Sequence, residues 1–277
     1  MRHASRPSRR NPRARPAPKN PTVVLVRRFD PSGEDLPRWD VLVRDEDGRP
    51  EFFSQTAAKK AALNPPTTGD GADLHIGDLI ATMPAEAAGY DEHATGLYVV
   101  TPDGVKAAPV PGEELSGPWL TSWGQDAYDM LLASSGVKRH RLAMAACDCA
   151  EAVLHLVPAG EDLPQKAIGT ARAWCRGEAS IDDVRDAADA AASYAADARV
   201  SAFAAAASVS SDTAYVAAAH AAIYAAKANG APREATYRDL APLVERWIPL
   251  PVVLLARLGY PDAVPFDPSM VPVGPRG

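Results

Sequence analysis

The sequence predicts a mainly α fold: a C-terminal alanine-rich helical bundle preceded by a small α+β domain. Three observations lead there. Apolar residues make up 47% of the 277 residues but aromatics only 6%, so the core must be built from Ala, Val and Leu, which suits closely packed helices. Beyond residue 138 the apolar positions recur at alternating spacings of three and four, the helical period. Between residues 22 and 112, short β-branched runs are separated by turn residues.

The chain divides into four parts by composition. Residues 1–21 form a Pro/Arg/Ser-rich arm that can bury too little surface to offset the entropy of ordering, so it is expected to be disordered. Residues 22–135 form an acidic α+β domain with a linker, 136–260 the bundle and 261–277 a proline-rich tail. Seven bases and no acid fall in residues 1–20; the formal charge of -6 therefore conceals a body at -13. Such a body disfavours nucleic acid as its own ligand and favours a basic partner, leaving nucleic acid only to the arm. The odd number of cysteines (Cys147, Cys149, Cys175) suggests a reducing cytoplasm. With no apolar run near the roughly 18 residues a membrane span requires, and no apolar segment after the basic N-terminus, neither insertion nor secretion is expected.

Taken in order, Thr22–Phe29 and Trp39–Arg44 read as strands, and Asp47-Gly48 as a hairpin turn leading to a third at Glu51–Ser54. A short helix at Gln55–Leu63 follows, then a Pro/Gly/Thr loop and further apolar segments at Leu74–Met83 and Gly96–Val100, with a turn at Thr101–Gly104. A helix near Gln125–Ala133 leaves a junction segment where Trp119 and Trp123 are expected to pack between the two domains.

In the bundle, a helix over about Lys138–Val157 carries an apolar stripe of Leu142, Ala146, Cys149, Val153 and Leu156, and its opposite face, with Arg141, Asp148, Glu151 and His155, is expected to be solvated. A second helix from Pro164 to near Gly177 makes a hairpin with it. Ser180 with Asp183 resembles a capping box opening a long alanine helix reaching Ala202. After a serine-rich break at Ser208–Ser211, capped by Ser211 or Asp212, another helix ends at Asn229-Gly230, as left-handed C-caps do. A more polar helix over 232–248 with a kink at Pro242, a short apolar segment at Pro249–Leu258 and the tail complete the chain.

Little of this points to catalysis. No nucleophile elbow, phosphate-binding glycine loop, His-Glu-x-x-His or dinucleotide fingerprint appears. Cys147 and Cys149 with His155 and Cys175 invite a zinc reading, but residues two apart on a helix diverge by about 200°, so buried thiols are the better reading and no metal or cofactor is expected. His220 falls beside a stripe of Val216 and Ile223 and reads as a core histidine.

Three segments, HRLAMAACDCAEAVLHLV, EDLPQKAIGTARAWCRGEAS and VAAAHAAIYAAKANG, carry a family resemblance. They resemble the fifth-numbered, alanine-rich family of immunity proteins with which bacteria neutralise polymorphic toxins. The likeness spans about residues 138–230 and rests on Cys149, Glu151, Leu154, Asp162, Pro164, Ala167, Ile168, Arg172, Trp174, Gly177, Glu178 and His220. The chain departs from the family in having fewer histidines in its alanine helices and in carrying an additional N-terminal half. The resemblance implies a helical bundle that binds a cognate toxin and blocks it by occlusion, without catalytic residues. The candidate partner-binding residues are then Asp148, Glu151, His155, Asp162, Arg172, Trp174, Glu178 and His220. Two other readings stand beside it: a phage or mobile-element module that docks a protein while its basic arm touches nucleic acid, and an enzyme with a site between the domains near Trp119 and Trp123.

Overall fold

The computed structural model describes residues 20–30, 39–65, 74–87, 94–108, 124–192 and 197–273. Nearly all of the basic arm, together with Trp119 and Trp123, lies outside them. The fold is mainly α, with an α+β N-terminal part, as the sequence predicts.

The N-terminal part is a five-stranded antiparallel sheet in the order β2-β1-β3-β4-β5, with β1 at Thr22–Arg27, β2 at Trp39–Val41, β3 at Leu79–Pro84, β4 at Gly96–Thr101 and β5 at Gly104–Ala107. Helix α1 (Gln55–Leu63) is capped by Ser54, whose side chain accepts from the Ala57 N–H. Residues 22–26 of β1 are buried on both faces of the strand, which period-2 alternation explains only if both faces of the sheet are covered. They are: Val24, Val26, Ile80, Tyr98 and Val100 cluster with Ala58 and Ala62 of α1. On the other face, Val23, Leu25, Leu79, Met83, Leu97 and Val99 meet Leu250, Leu254 and Leu255, which come from the far end of the chain. Asp47-Gly48 turns as expected, but Glu51–Ser54 forms no strand: Phe53 makes only an isolated bridge to Thr22, and Pro50, just before the run, one to Arg44.

The remaining helices are α2 (Ala127–Ala133), α3 (Arg139–Glu151), α4 (Leu163–Cys175), α5 (Ile181–Ala192), α6 (Asp197–Ser210), α7 (Ala214–Asn229), α8 (Arg233–Trp247) and α9 (Leu250–Arg257). Central α3 packs on α4, α6, α7 and α8. It ends sooner than its periodicity suggests, giving way to a 3-10 turn at Leu154–Leu156. Asp126 caps α2 through two backbone amides. The Ser180 capping box forms: Ser180 Oγ accepts from the Asp183 N–H at 3.1 Å, and the Asp183 carboxylate accepts from Ser180 N at 2.8 Å. Of the stripe on the long alanine segment, Val184, Ala188, Ala191 and Ala202 are buried and Ile181 half-buried, while residues 193–196 lie outside the described part. The serine-rich break comes later than expected. Ser208 is still helical, and its buried hydroxyl is satisfied by donating back to the Ala205 carbonyl at 2.7 Å. Gly230 then closes α7 at φ 66°, a conformation that costs a residue bearing a Cβ. Pro242 sits inside α8.

The core of α7 is almost entirely alanine: Ala218, Ala219, Ala221, Ala222, Ala225 and Ala226 are buried, and Ser201 of α6 donates to the Ala221 carbonyl at 2.8 Å. Methyl-sized side chains let helix backbones approach closely, displacing larger residues to the margins. Val216, Tyr215, Ile223 and Tyr224 are accordingly only half-buried. His220 is exposed rather than a core residue: the stripe Val216–Ile223 is the rim of the contact and not its floor.

Such a seam has no room for growth. Replacing Ala222, fully buried, with Leu should destabilise the fold by about 1–3 kcal/mol in urea denaturation, as overpacking of a well-filled core does.

Candidate partner-binding site

Of the eight residues singled out in the sequence, three hold helices together, four face solvent and Trp174 is half-buried between them. Asp148, Glu151 and Arg172 make up the first group. Residues 141–150 of α3 are buried without interruption, because α3 is enclosed by its neighbours. Its charged face is therefore not solvated, contrary to the expectation from local pattern. Arg172 of α4 donates from Nη1 to Glu151 Oε1 at 3.0 Å, and from Nη2 to Glu151 Oε2 and Asp148 Oδ1, both at 2.8 Å. The second Asp148 oxygen accepts from Trp247 Nε1 at 2.8 Å. Arg172 and Asp148 are each about 3% exposed. The fork-to-fork geometry explains how these charges survive burial: the bidentate pair and the indole N–H replace water at the polar atoms that face them. Burial alone would lower the Arg172 pKa, but the Glu151 hydrogen bonds and the charges of Asp148 and Glu151 outweigh it and raise the value, so the guanidinium is fixed as a cation. Its Nε is buried without a hydrogen-bond partner among the described residues.

Arg141, read from the sequence as a surface residue, is the second polar anchor of α3. Its guanidinium donates to three backbone carbonyls, of Trp247 at 2.9 Å, Pro265 at 2.9 Å and Val264 at 3.3 Å. Trp247 is thus held at its carbonyl by Arg141 and at its indole by Asp148, two turns further along the same face of α3. Nothing in the local sequence marks Trp247, since its partners are about a hundred residues distant.

Trp174 is neither a free surface anchor nor fully buried. It stacks on His140 of α3 with ring centroids 4.3 Å apart and planes 7° apart, and His140 also stacks on Phe266 of the tail at 5.4 Å. Burial, with a contribution from the Lys138 charge, lowers the His140 pKa below its ordinary value. The thiols of Cys147, Cys149 and Cys175 are free and buried, and burial raises each pKa, that of Cys175 to about 12. No group of three or more His, Cys, Asp or Glu among the described residues could hold a metal ion.

The second group is exposed. His155 lies in the 3-10 turn after α3, and Asp162, just before α4, pairs with Lys166 at 2.6 Å. Glu178, just after α4, pairs with Arg176, which also donates to the Pro272 carbonyl. Between these two ends runs a shallow groove of about 140 Å³, lined along α4 by Gln165, Gly169 and Arg176 and flanked by Leu154, Pro272 and Val273. Val273 is 87% exposed at this groove, and Leu156, in the 3-10 turn after α3, is 43% exposed. His220 is on α7, which packs chiefly on α2, α3, α6 and α8, so it belongs to a different side of the bundle.

Comparison with known proteins assigns one segment. Residues 133–241 match the family described as "Imm-5 like putative immunity protein". This stretch is similar to an immunity-protein family, and it contains the whole α3–α4 unit with its ion network. No curated protein and no solved structure matches the chain. Among the described residues, no helix is long and apolar enough to cross a membrane.

Two outcomes are expected from the buried groups. Arg172→Met strands two carboxylates and should destabilise the fold by about 3–5 kcal/mol in chemical denaturation. The depressed His140 pKa means that the unfolded chain binds a proton before the folded one does. Stability from this site is therefore full above about pH 6.5 and declines as the pH falls toward the folded-state value. In His140→Phe that part of the decline should vanish, read as a flatter midpoint-against-pH curve between pH 7 and 5.

Proposed function

We propose that this protein is a non-enzymatic immunity protein that neutralises a cognate bacterial toxin by covering it. The observation that carries the reading is the match of residues 133–241 to an immunity-protein family, on a segment folded as a close-packed bundle. The polymorphic-toxin setting and kinship to the fifth-numbered immunity family belong to this proposal, on the strength of the Ile168, Arg172, Trp174 and Gly177-Glu178 string.

Burial reassigns the candidate residues. Asp148 and Arg172, with Glu151 beside them, set the spacing of α3 and α4, and Trp174 with His140 seats the tail; they shape the surface without forming it. The partner-facing part is the exposed flank of α4, where a groove whose apolar lining includes Leu154, Ile168 and Val273 runs between Asp162 and Glu178 at the two ends of the helix, with His155 in the preceding turn. An apolar centre ringed by polar groups is the arrangement in which a few anchoring side chains supply most of the binding energy. A rigid surface also limits the ordering cost of association. The acidic charge of residues 21–135 adds long-range attraction for a basic toxin domain and raises its encounter rate.

Cells producing the full chain together with the toxin domain encoded beside its gene should grow, and the two proteins should copurify. Charge reversal at two exposed positions, Asp162→Lys with Glu178→Lys, should weaken the complex by about tenfold and make its remaining affinity less sensitive to salt while leaving the fold intact. The reading fails if the full chain neither binds nor protects against that toxin.

A further inference from the structure

A cleft of about 520 Å³ opens between the sheet and the bundle, beside Arg141 near the start of α3. Its volume falls in the range of roughly 300–1,000 Å³ typical of small-molecule sites, which favour domain junctions. Its walls come from five places in the chain, one of them Arg141 of α3. Phe29 and Ile76 stand on the sheet side, Trp247 at the end of α8, and Phe266 and Met270 in the tail.

Both sides are held by internal bonds. On the sheet side, Asp78, 1% exposed, accepts the backbone N–H of Phe29 at 2.9 Å and that of His75 at 3.0 Å. Gly77 lies between them because any Cβ there would meet the Phe29 ring at 2.6 Å. On the bundle side, the three carbonyl bonds of Arg141 fix both the end of α8 and the tail.

The charge lining the cleft is unbalanced. Arg141 is nine-tenths buried, and among the described residues no carboxylate forms an ion pair with it. Carbonyl dipoles satisfy donors but supply no opposite charge, and burial lowers the Arg141 pKa accordingly. Arg246 adds a second guanidinium, stacked over the Trp247 ring at 5.2 Å. Among the described residues the one lining carboxylate, Asp267, is engaged by the N–H and hydroxyl of Ser269 at the start of its own 3-10 turn. An otherwise acidic protein thus places two arginines in an apolar cleft.

We propose that this cleft is a binding site for a small organic carboxylate with an aromatic or branched apolar body. The carboxylate meets Arg246 and the Arg141 charge, and the body lies against Phe29, Ile76 and Trp247. No hydrogen-bonded pair of nucleophile and base among the described residues lines the cleft, so the site binds without catalysing. The proposal rests on the cleft alone and not on the immunity reading.

The test is titration of the full chain with 4-phenylbutyrate and its neutral counterpart 4-phenylbutanamide, followed by calorimetry and tryptophan fluorescence. The carboxylate should bind about tenfold more tightly than the amide, and raised salt should narrow the difference. Arg246→Gln should abolish the preference, and Ile76→Glu should weaken carboxylate binding; both positions are exposed, so both variants should fold. Absence of saturable binding at millimolar concentrations, equal binding of acid and amide, or a preference that survives both substitutions would overturn the assignment.

Discussion

Helix α3 is enclosed along ten consecutive residues, 141–150, yet it carries two charged side chains there and a third at its end. The rest of the bundle is arranged to meet that demand. Asp148 and Glu151 require Arg172 of α4, Asp148 also requires the indole of Trp247 in α8, and Arg141 requires carbonyls of α8 and the tail. A buried pair is a poor source of net stability, because desolvation cancels much of the attraction, but a broken one is costly. The asymmetry penalises any shift of α4, α8 or the tail against α3, since each shift leaves a charge without its partner.

Close helix packing has a related consequence. Alanine seams between α3, α6 and α7 leave little free volume, so the bundle has few alternative packings. The same segment that ends at Trp247 continues into α9, whose leucines cover one face of the sheet. Sheet and bundle are therefore joined through a core rather than through a surface contact. A preorganised surface favours any association it makes, because ordering costs subtract directly from affinity.

Much of this order is legible in the sequence, in particular ways. The first two strands, the Ser180 cap and the Gly230 stop are local signals, set by residues within a few positions of one another, and they form where the pattern places them, whereas the run at Glu51–Ser54 makes no strand and the long alanine helix is two, Ile181–Ala192 and Asp197–Ser210. The errors share a cause as well. Arg141 and Asp148 read as a solvated face because charged residues are seldom buried unpaired, and their partners stand 24 to 124 positions away. His220 reads as core because Val216 and Ile223 flank it, a rule that fails where alanine forms the floor of the contact and larger side chains its edge. Trp247 carries no local mark at all. The family string at Ile168, Arg172 and Trp174 was visible, whereas its role in joining α4 to α3 and to the tail depends on tertiary contacts.

The proposed function divides residues that hold the scaffold from residues that would meet a partner. Amide hydrogen exchange on the full chain, alone and with the toxin domain encoded beside its gene, tests that division directly. The expected result is slow exchange throughout α3 in both states, with new protection confined to residues 154–166 and 174–178 on the flank of α4. New protection on the sheet or on α7, with the α4 flank unchanged, would contradict it.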